Sequence, residues 1–162
     1  MILQIYTLVH VLISLAGIFS GFVVLFGLLA GRRLDGWTVF FLATTVATSV
    51  TGFFFPVRHF MPSHALGILS LLVLAVAIYA RYSRHLAGAW RKVYVVTAAL
   101  ALYLNAFVGI VQAFQKIPAL HSMAPTQTEP PFKLAQLVVL ALFVVLTIAA
   151  AIRFHGEPVP SQ

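Results

Sequence analysis

Histidine and methionine are the residues of this sequence whose chemistry points most directly to a functional site. Imidazole nitrogen together with thioether sulfur suits copper, particularly the reduced ion, and two histidines on different helices can hold a haem iron axially. A third interpretation is that these are ordinary histidines of a membrane interface, because no His-x-x-His or Cys-x-x-Cys spacing accompanies them. For haem b the best pair is His10 with His64. The candidate metal ligands are His10, His59, His64, His121, Met61 and Met123.

Two amide side chains, Asn105 and Gln112, lie within a long apolar segment. Asn105 is about 13 residues beyond Lys92, hence about 20 Å along a helix that rises 1.5 Å per residue. An amide at that depth in a membrane needs a hydrogen-bond partner, and polar groups there are functional candidates by default. With His10 and His64, the two amides form our candidate ligand-binding set. The alternative for Asn105 is a hydrogen bond to the threonine-rich second helix.

Several classes of chemistry have no support in the composition. The acids are Asp35, Glu129 and Glu157 alone, with Glu129 predicted on the opposite side of the membrane from the other two, so a paired-carboxylate hydrolytic site is excluded. The absence of cysteine excludes thiolate catalysis, disulfides and iron–sulfur clusters. A pI near 10.4 does not indicate nucleic-acid binding, because the basic residues sit at helix ends instead of on one face. The sequence therefore favours a non-enzymatic protein.

The elements that must position these residues are membrane helices. Of 162 residues, 62% are hydrophobic and only 8% charged, against roughly a quarter charged in soluble domains. Each of five apolar segments approaches or exceeds the ~20 residues that cross a hydrocarbon core about 30 Å thick. We predict an all-α bundle of five transmembrane helices in a single domain, residues 1–162, with a long loop at 115–133 as a lid or binding segment. The predicted helices cover about 2–30, 37–55, 62–80, 93–114 and 134–152.

Lysine and arginine counts set the expected orientation. Seven lie on one side of the predicted bundle and three on the other, which predicts an outer N-terminus and a cytoplasmic C-terminus by the positive-inside rule. The four histidines His10, His59, His64 and His121 then share the outer surface. Residues 81–92 set the topology in this interpretation; the alternative is a patch for anionic lipid or a partner. The inner side has Arg32, Arg33, Arg81, Arg84, Arg91, Lys92 and Arg153, with an expected belt of Trp37, Trp90, Tyr79, Tyr82 and Tyr94; the outer side has Arg58, Lys116 and Lys133.

Small and hydroxyl residues predict where the helices pack. Gly17 and Gly21 have the small-xxx-small spacing that allows close backbone approach between membrane helices. The second helix has neighbouring stripes of threonine, serine and glycine, whose hydroxyls can bond to carbonyls of their own helix. The stripes are Thr44, Thr48 and Thr51, and Thr45, Ser49 and Gly52.

Three stretches of the second half look like a group of small bacterial inner-membrane proteins of unknown function: residues 101–108 (ALYLNAFV), 112–120 (QAFQKIPAL) and 124–132 (APTQTEPPF). The similarity extends over the second to fifth helices and includes residues 51–56 (TGFFFP) and 62–64 (PSH). The resemblance implies a bacterial inner membrane. It implies no activity and assigns no functional residue.

Three functional hypotheses follow from the sequence. The leading one is a non-enzymatic multi-pass membrane protein whose outer surface binds a partner protein or a small lipophilic molecule. The second is a small redox or metal-handling protein that uses the outer histidines with haem b or copper. The third is an accessory subunit of a larger membrane complex. The expected partners are the lipid bilayer and other membrane subunits or a second copy, without nucleic acid.

Overall fold

The computed structural model describes residues 1–155, and this part of the chain is helical with no strand. A π-helical turn, Tyr79–Ser83, continues the third helix. Glu157, predicted on the cytoplasmic side, lies outside the described residues. The helices are α1 (Ile2–Leu29), α2 (Asp35–Gly52), α3 (Pro62–Ile78), α4 (Trp90–Lys116), α5 (Pro118–Met123) and α6 (Pro130–Arg153).

The predicted long loop is shorter than expected and partly helical. The helix α4 continues to Lys116, and α6 already begins at Pro130, so the connection between them covers residues 117–129 and contains α5. Two prolines open α6 because a proline in the first helical turn lacks only an N–H that would have no partner within the helix. The other helices agree with the predicted segments to within a few residues at each end.

Four helices are long and apolar enough to cross a membrane: α1, α3 with its π-helical turn, α4 and α6. Their length and composition indicate a multi-pass membrane protein. The helix α2 has 18 residues, but Asp35 and its many threonines make it less apolar, and it is not among the four. The count of five crossings therefore stays a prediction.

The helix α4 lies at the centre of the bundle and packs mainly against three of the other four long helices, α1, α3 and α6. The helix α2 lies between α1 and α3 and packs against both. Successive long helices run in opposite directions, which gives the bundle two ends. The histidine end holds residues 53–64 and 115–129 with the first turns of α1; the arginine end holds residues 30–35, 79–92 and 153–155. Seven of the ten lysines and arginines are at the arginine end.

Close contact of α1, α2 and α4 occurs at the predicted glycines. A Cβ at Gly21 would lie 2.5 Å from Leu102 and 2.8 Å from the Phe41 ring, and both of these side chains are fully buried. A Cβ at Gly17 would lie 3.1 Å from the amide nitrogen of Asn105. The small-xxx-small spacing is thus confirmed as a packing site, because a Cβ at Gly21 would overlap the neighbouring side chains and one at Gly17 would crowd them.

Candidate functional site

A row of polar side chains follows the contact between α1 and α2, from the histidine end to the centre of the bundle, where α4 contributes an amide. We refer to this row as the polar seam. It contains two of the four predicted ligand-binding residues, His10 and Asn105. Its members are Tyr6, His10, Ser14, Thr45, Thr48, Thr51 and Asn105.

At the histidine end of the seam, α1 holds the last turn of α2 through side-chain hydrogen bonds. Tyr6 donates its hydroxyl proton to the Thr51 carbonyl at 2.6 Å, and the Nδ1 atom of His10 lies 2.7 Å from the Thr51 hydroxyl. When Thr51 donates its only proton to the Ala47 carbonyl, at 2.7 Å, its oxygen can only accept a hydrogen bond from His10. In this arrangement His10 carries a proton on Nδ1. In the neutral ring, Nε2 is then the nitrogen with a free lone pair.

At the centre of the seam, polar groups surround Gly17. Asn105 is buried and directs its amide nitrogen to the Ser14 carbonyl at 3.5 Å, the outer limit of a hydrogen bond. Its hydrogen bond thus goes to α1, and the predicted bond to the second helix is not formed. The hydroxyls of Thr45 and Thr48 are buried and have no hydrogen-bond partner among residues 1–155. The centre of the bundle therefore has unused hydrogen-bonding capacity.

The hydroxyls of Thr44 and Ser49 bond to their own helix, as the sequence predicted, whereas those of Thr45 and Thr48 do not. Thr44 donates to the Phe40 carbonyl at 2.7 Å, one turn back in the same helix. Ser49 donates to the Thr45 carbonyl at 2.9 Å and lies 3.0 Å from the Ser70 hydroxyl of α3. Bonding to the same helix removes most of the cost of burying these groups, so they need no ligand.

His64 caps the start of α3. The backbone N–H of Met61 donates to Nδ1 of His64 at 3.0 Å, and the His64 N–H donates to the Met61 carbonyl at 2.9 Å. The ring also packs against Phe53 and Phe60, with centroids 5.7 and 5.4 Å away. Since Nδ1 accepts a hydrogen bond, the proton of the neutral ring is on Nε2. This is a helix cap, which satisfies backbone groups that the helix itself leaves free.

The two histidines proposed as a haem pair flank the end of α2. His10 packs edge-on against Phe55 at 5.1 Å, whereas His64 contacts Phe53, and α2 separates α1 from α3. Among residues 1–155, no three His, Asp or Glu side chains form a group that could hold a metal ion. His59, Met61, His121 and Met123 are exposed near this end. Haem or copper binding stays a hypothesis.

The connection between α4 and α6 is fixed to the end of α4. Gln127, whose φ is +60°, donates its amide to the Val111 carbonyl at 2.9 Å. Glu129 accepts hydrogen bonds from the Thr126 hydroxyl at 2.7 Å and from the Thr128 N–H at 3.0 Å. The Thr126 hydroxyl is the main cause that lowers the pKa of the Glu129 carboxyl below its usual value. Gln112 is exposed and lies outside these contacts.

Sequence reasoning missed an ion pair at the arginine end, in which the arginine is buried and the acid is exposed. Arg81, in the π-helical turn, pairs with Asp35 at the start of α2, and its guanidinium lies 5.2 Å from the Tyr94 ring centre. Only 2% of the Arg81 side chain is exposed, against 68% for Asp35. Counting Arg81 with the loop residues was therefore wrong, and so was placing Tyr94 in the interfacial belt, since it is fully buried. One signal was available: a lone acid at a membrane boundary needs a cation.

Comparison with known proteins adds neither a family nor a function to what the fold shows. The chain matches no protein-family model, and no curated protein or solved structure is significantly similar to it. The four long apolar helices indicate a multi-pass α-helical membrane protein.

Proposed function

We propose that this chain is a non-enzymatic membrane protein with five crossings, and that its polar seam binds a small lipophilic molecule with hydrogen-bonding groups. The observation that carries the proposal is the unused hydrogen-bonding capacity at the centre of the bundle. The hydroxyls of Thr45 and Thr48 have no partner among the described residues, and Asn105 has one long contact.

Such groups are costly when they are buried without a partner. A polar group removed from water and left unpaired costs about 1–3 kcal/mol, and lipid offers no substitute for the water. A carbonyl or hydroxyl group of a molecule that enters from the membrane would pair with these groups, while its apolar part stayed against the helices. The free Nε2 of His10 extends the same set of polar groups towards the histidine end.

The test is to identify what the purified protein carries. Protein extracted in mild detergent is treated with organic solvent, and the released compounds are quantified by mass spectrometry against a detergent blank. The test variant combines Thr45→Val and Thr48→Val, which keep the side-chain shape but remove the hydroxyls. Thr97→Val is the matched control, because the Thr97 hydroxyl donates to the Val93 carbonyl of its own helix at 2.7 Å.

We expect one lipophilic compound in wild type and control, at a constant ratio to protein. The double variant should retain about ten-fold less, the factor that corresponds to two hydrogen bonds of about 0.7 kcal/mol each. Equal retention in all three proteins, or no compound above the blank in wild type, would contradict the proposal. Ordered water would then be the partner of these hydroxyls. A second polypeptide at a fixed ratio would favour the partner-protein form of the hypothesis.

We also propose an outer N-terminus, a cytoplasmic C-terminus and location in the inner membrane of a bacterium. The charge difference between the two ends supports the orientation, and the resemblance described above supports the location. Because the chain has no cysteine, Ser63→Cys at the histidine end and Ser83→Cys at the arginine end give single labelling sites. A membrane-impermeant maleimide should label only the first in intact cells. Labelling of both, or of Ser83→Cys alone, would contradict this orientation.

A further inference from the structure

An aromatic and basic cluster lies at the arginine end, where α3 passes into α4. The Tyr79 and Trp90 rings meet edge to face at 5.3 Å, and the Arg84 guanidinium lies 5.3 Å from the Trp90 ring centre. Stacking on an indole restricts the arginine side chain and holds its charge beside the aromatic pair. We refer to Tyr79, Arg84 and Trp90 as the Arg84 cluster.

The backbone before α4 keeps Arg84 at the surface. The residues after it, His85 and Leu86, adopt positive φ values of 49° and 57°. This turns the chain back so that Leu86 is buried and its N–H donates to the Ala80 carbonyl at 3.1 Å. Arg84 remains exposed. The buried Leu86 therefore holds the turn in place, and the turn keeps Arg84 at the surface beside Trp90.

An apolar stripe leads from the Arg84 cluster along α3. Leu72, Val76 and Tyr79 are all exposed and follow each other at three- and four-residue spacing, so they occupy one face of the helix. In a membrane protein such a face contacts acyl chains. Tyrosine and tryptophan at its end prefer the level of the lipid headgroups. The apolar stripe thus matches the acyl chain of a phospholipid, the aromatic pair matches the level of its headgroup, and the guanidinium matches its phosphate.

The charge around the cluster favours an anionic headgroup. Within residues 1–155, Asp35 is the only acid at this end of the bundle, and it already contacts Arg81 and Arg33. Arg84 has no acidic partner in that part of the chain, and the exposed Lys92 adds a further positive charge nearby in sequence. Arginine pairs with phosphate through two parallel hydrogen bonds, which makes it well suited to this ligand.

We infer that the Arg84 cluster is a binding site for one anionic phospholipid, with the phosphate at Arg84 and an acyl chain along Leu72 and Val76. The inference depends on the protein being in a membrane and not on the polar seam. A defined lipid site goes beyond a charge that only orients the chain in the membrane. It predicts that one particular arginine contributes more to lipid binding than another exposed arginine elsewhere.

The test is lipid retention measured by native mass spectrometry. Detergent-purified protein is titrated with phosphatidylglycerol and, separately, with phosphatidylcholine of the same acyl chains. Arg84→Gln is the test variant and Arg58→Gln the matched control, because Arg58 is an exposed arginine at the histidine end. Size-exclusion chromatography confirms that both variants are folded. Arg84→Lys keeps the charge but loses the paired hydrogen-bonding geometry.

We expect wild type and Arg58→Gln to hold one phosphatidylglycerol in preference to phosphatidylcholine. Arg84→Gln should bind phosphatidylglycerol about five-fold more weakly, the effect of about one basic residue at a lipid surface, and Arg84→Lys should lie between. Equal binding by Arg84→Gln and Arg58→Gln would overturn the inference. So would equal retention of the two lipids by wild type. The polar-seam experiment is unaffected by either result, since its variants and its ligand are different.

Discussion

Asp35 and Arg81 allow a prediction in which the two halves of one ion pair have unequal effects on stability. Arg81 is the buried partner and Asp35 the exposed one, with 2% and 68% of their side chains accessible. Replacing Asp35 by alanine leaves a buried guanidinium without its carboxylate. Replacing Arg81 by methionine instead removes the buried charge and leaves an exposed acid, which still has Arg33 at 3.6 Å.

The magnitudes follow from these environments. Removing one partner of a fully buried pair costs about 3–5 kcal/mol, but water can reach the position that Asp35 leaves, so we expect about 1–3 kcal/mol for Asp35→Ala. Arg81→Met should cost no more than about 1 kcal/mol, because a pair whose carboxylate is open to solvent contributes little and methionine fills an irregular space well. At roughly 2–4 °C per kcal/mol for a chain of this size, the two variants should be distinguishable by their unfolding temperatures.

Tryptophan fluorescence during heating in mild detergent reports unfolding close to the ion pair, because Trp37 and Trp90 are both near the arginine end. The double variant separates the ion pair from the favourable contact of Asp35 with the start of α2. In the Arg81→Met background, Asp35→Ala should cost at least about 1 kcal/mol less than in wild type. If its cost is the same in both backgrounds, or if Arg81→Met is the more damaging single change, the reasoning is wrong.

Two further predictions concern packing and the α4–α6 connection. Gly21→Ala should destabilise the bundle by about 1–3 kcal/mol, because the new Cβ would lie 2.5 Å from Leu102. Gly36→Ala is the control and should leave the stability unchanged, because a Cβ there would have nothing within 4 Å. Equal unfolding temperatures of the two variants in detergent would contradict this prediction. The pKa of Glu129 is lower in the folded protein, so its stabilising effect is present above the ordinary value of 4.5 and is lost as the pH falls through the lowered one. The Thr128 amide should therefore exchange with deuterium faster on acidification than its intrinsic rate predicts, and this excess should be absent in Glu129→Gln.

The helices and their contacts through glycine were accessible to sequence reasoning because local pattern determines them. Long apolar segments between charged ends predicted each long helix, and the spacing of Gly17 and Gly21 predicted close packing. The boundaries were less accurate where prolines begin a helix, as at Pro130. The pattern also failed at Arg81, because nothing local in the sequence shows that a π-helical turn brings this side chain to Asp35.

The candidate site was only partly predictable. His10 and Asn105 were chosen for their depth and polarity, and both belong to the polar seam. His64 and Gln112 were chosen on the same grounds, yet one caps α3 and the other is exposed. Their depth in the membrane follows from counting residues along a helix. The direction in which they point does not.

Composition by itself determined the medium of this protein, since a chain with 8% charged residues cannot cover its surface in water. The order of residues also determined that the basic residues gather at one end, because it fixes their positions relative to the apolar segments. Only the tertiary structure decided which polar groups meet. A helix that is apolar on all sides has no preferred face in its sequence pattern, so its rotation about its own axis is set by the helices it packs against. That rotation brings Thr45 and Asn105 to Gly17 and buries Arg81.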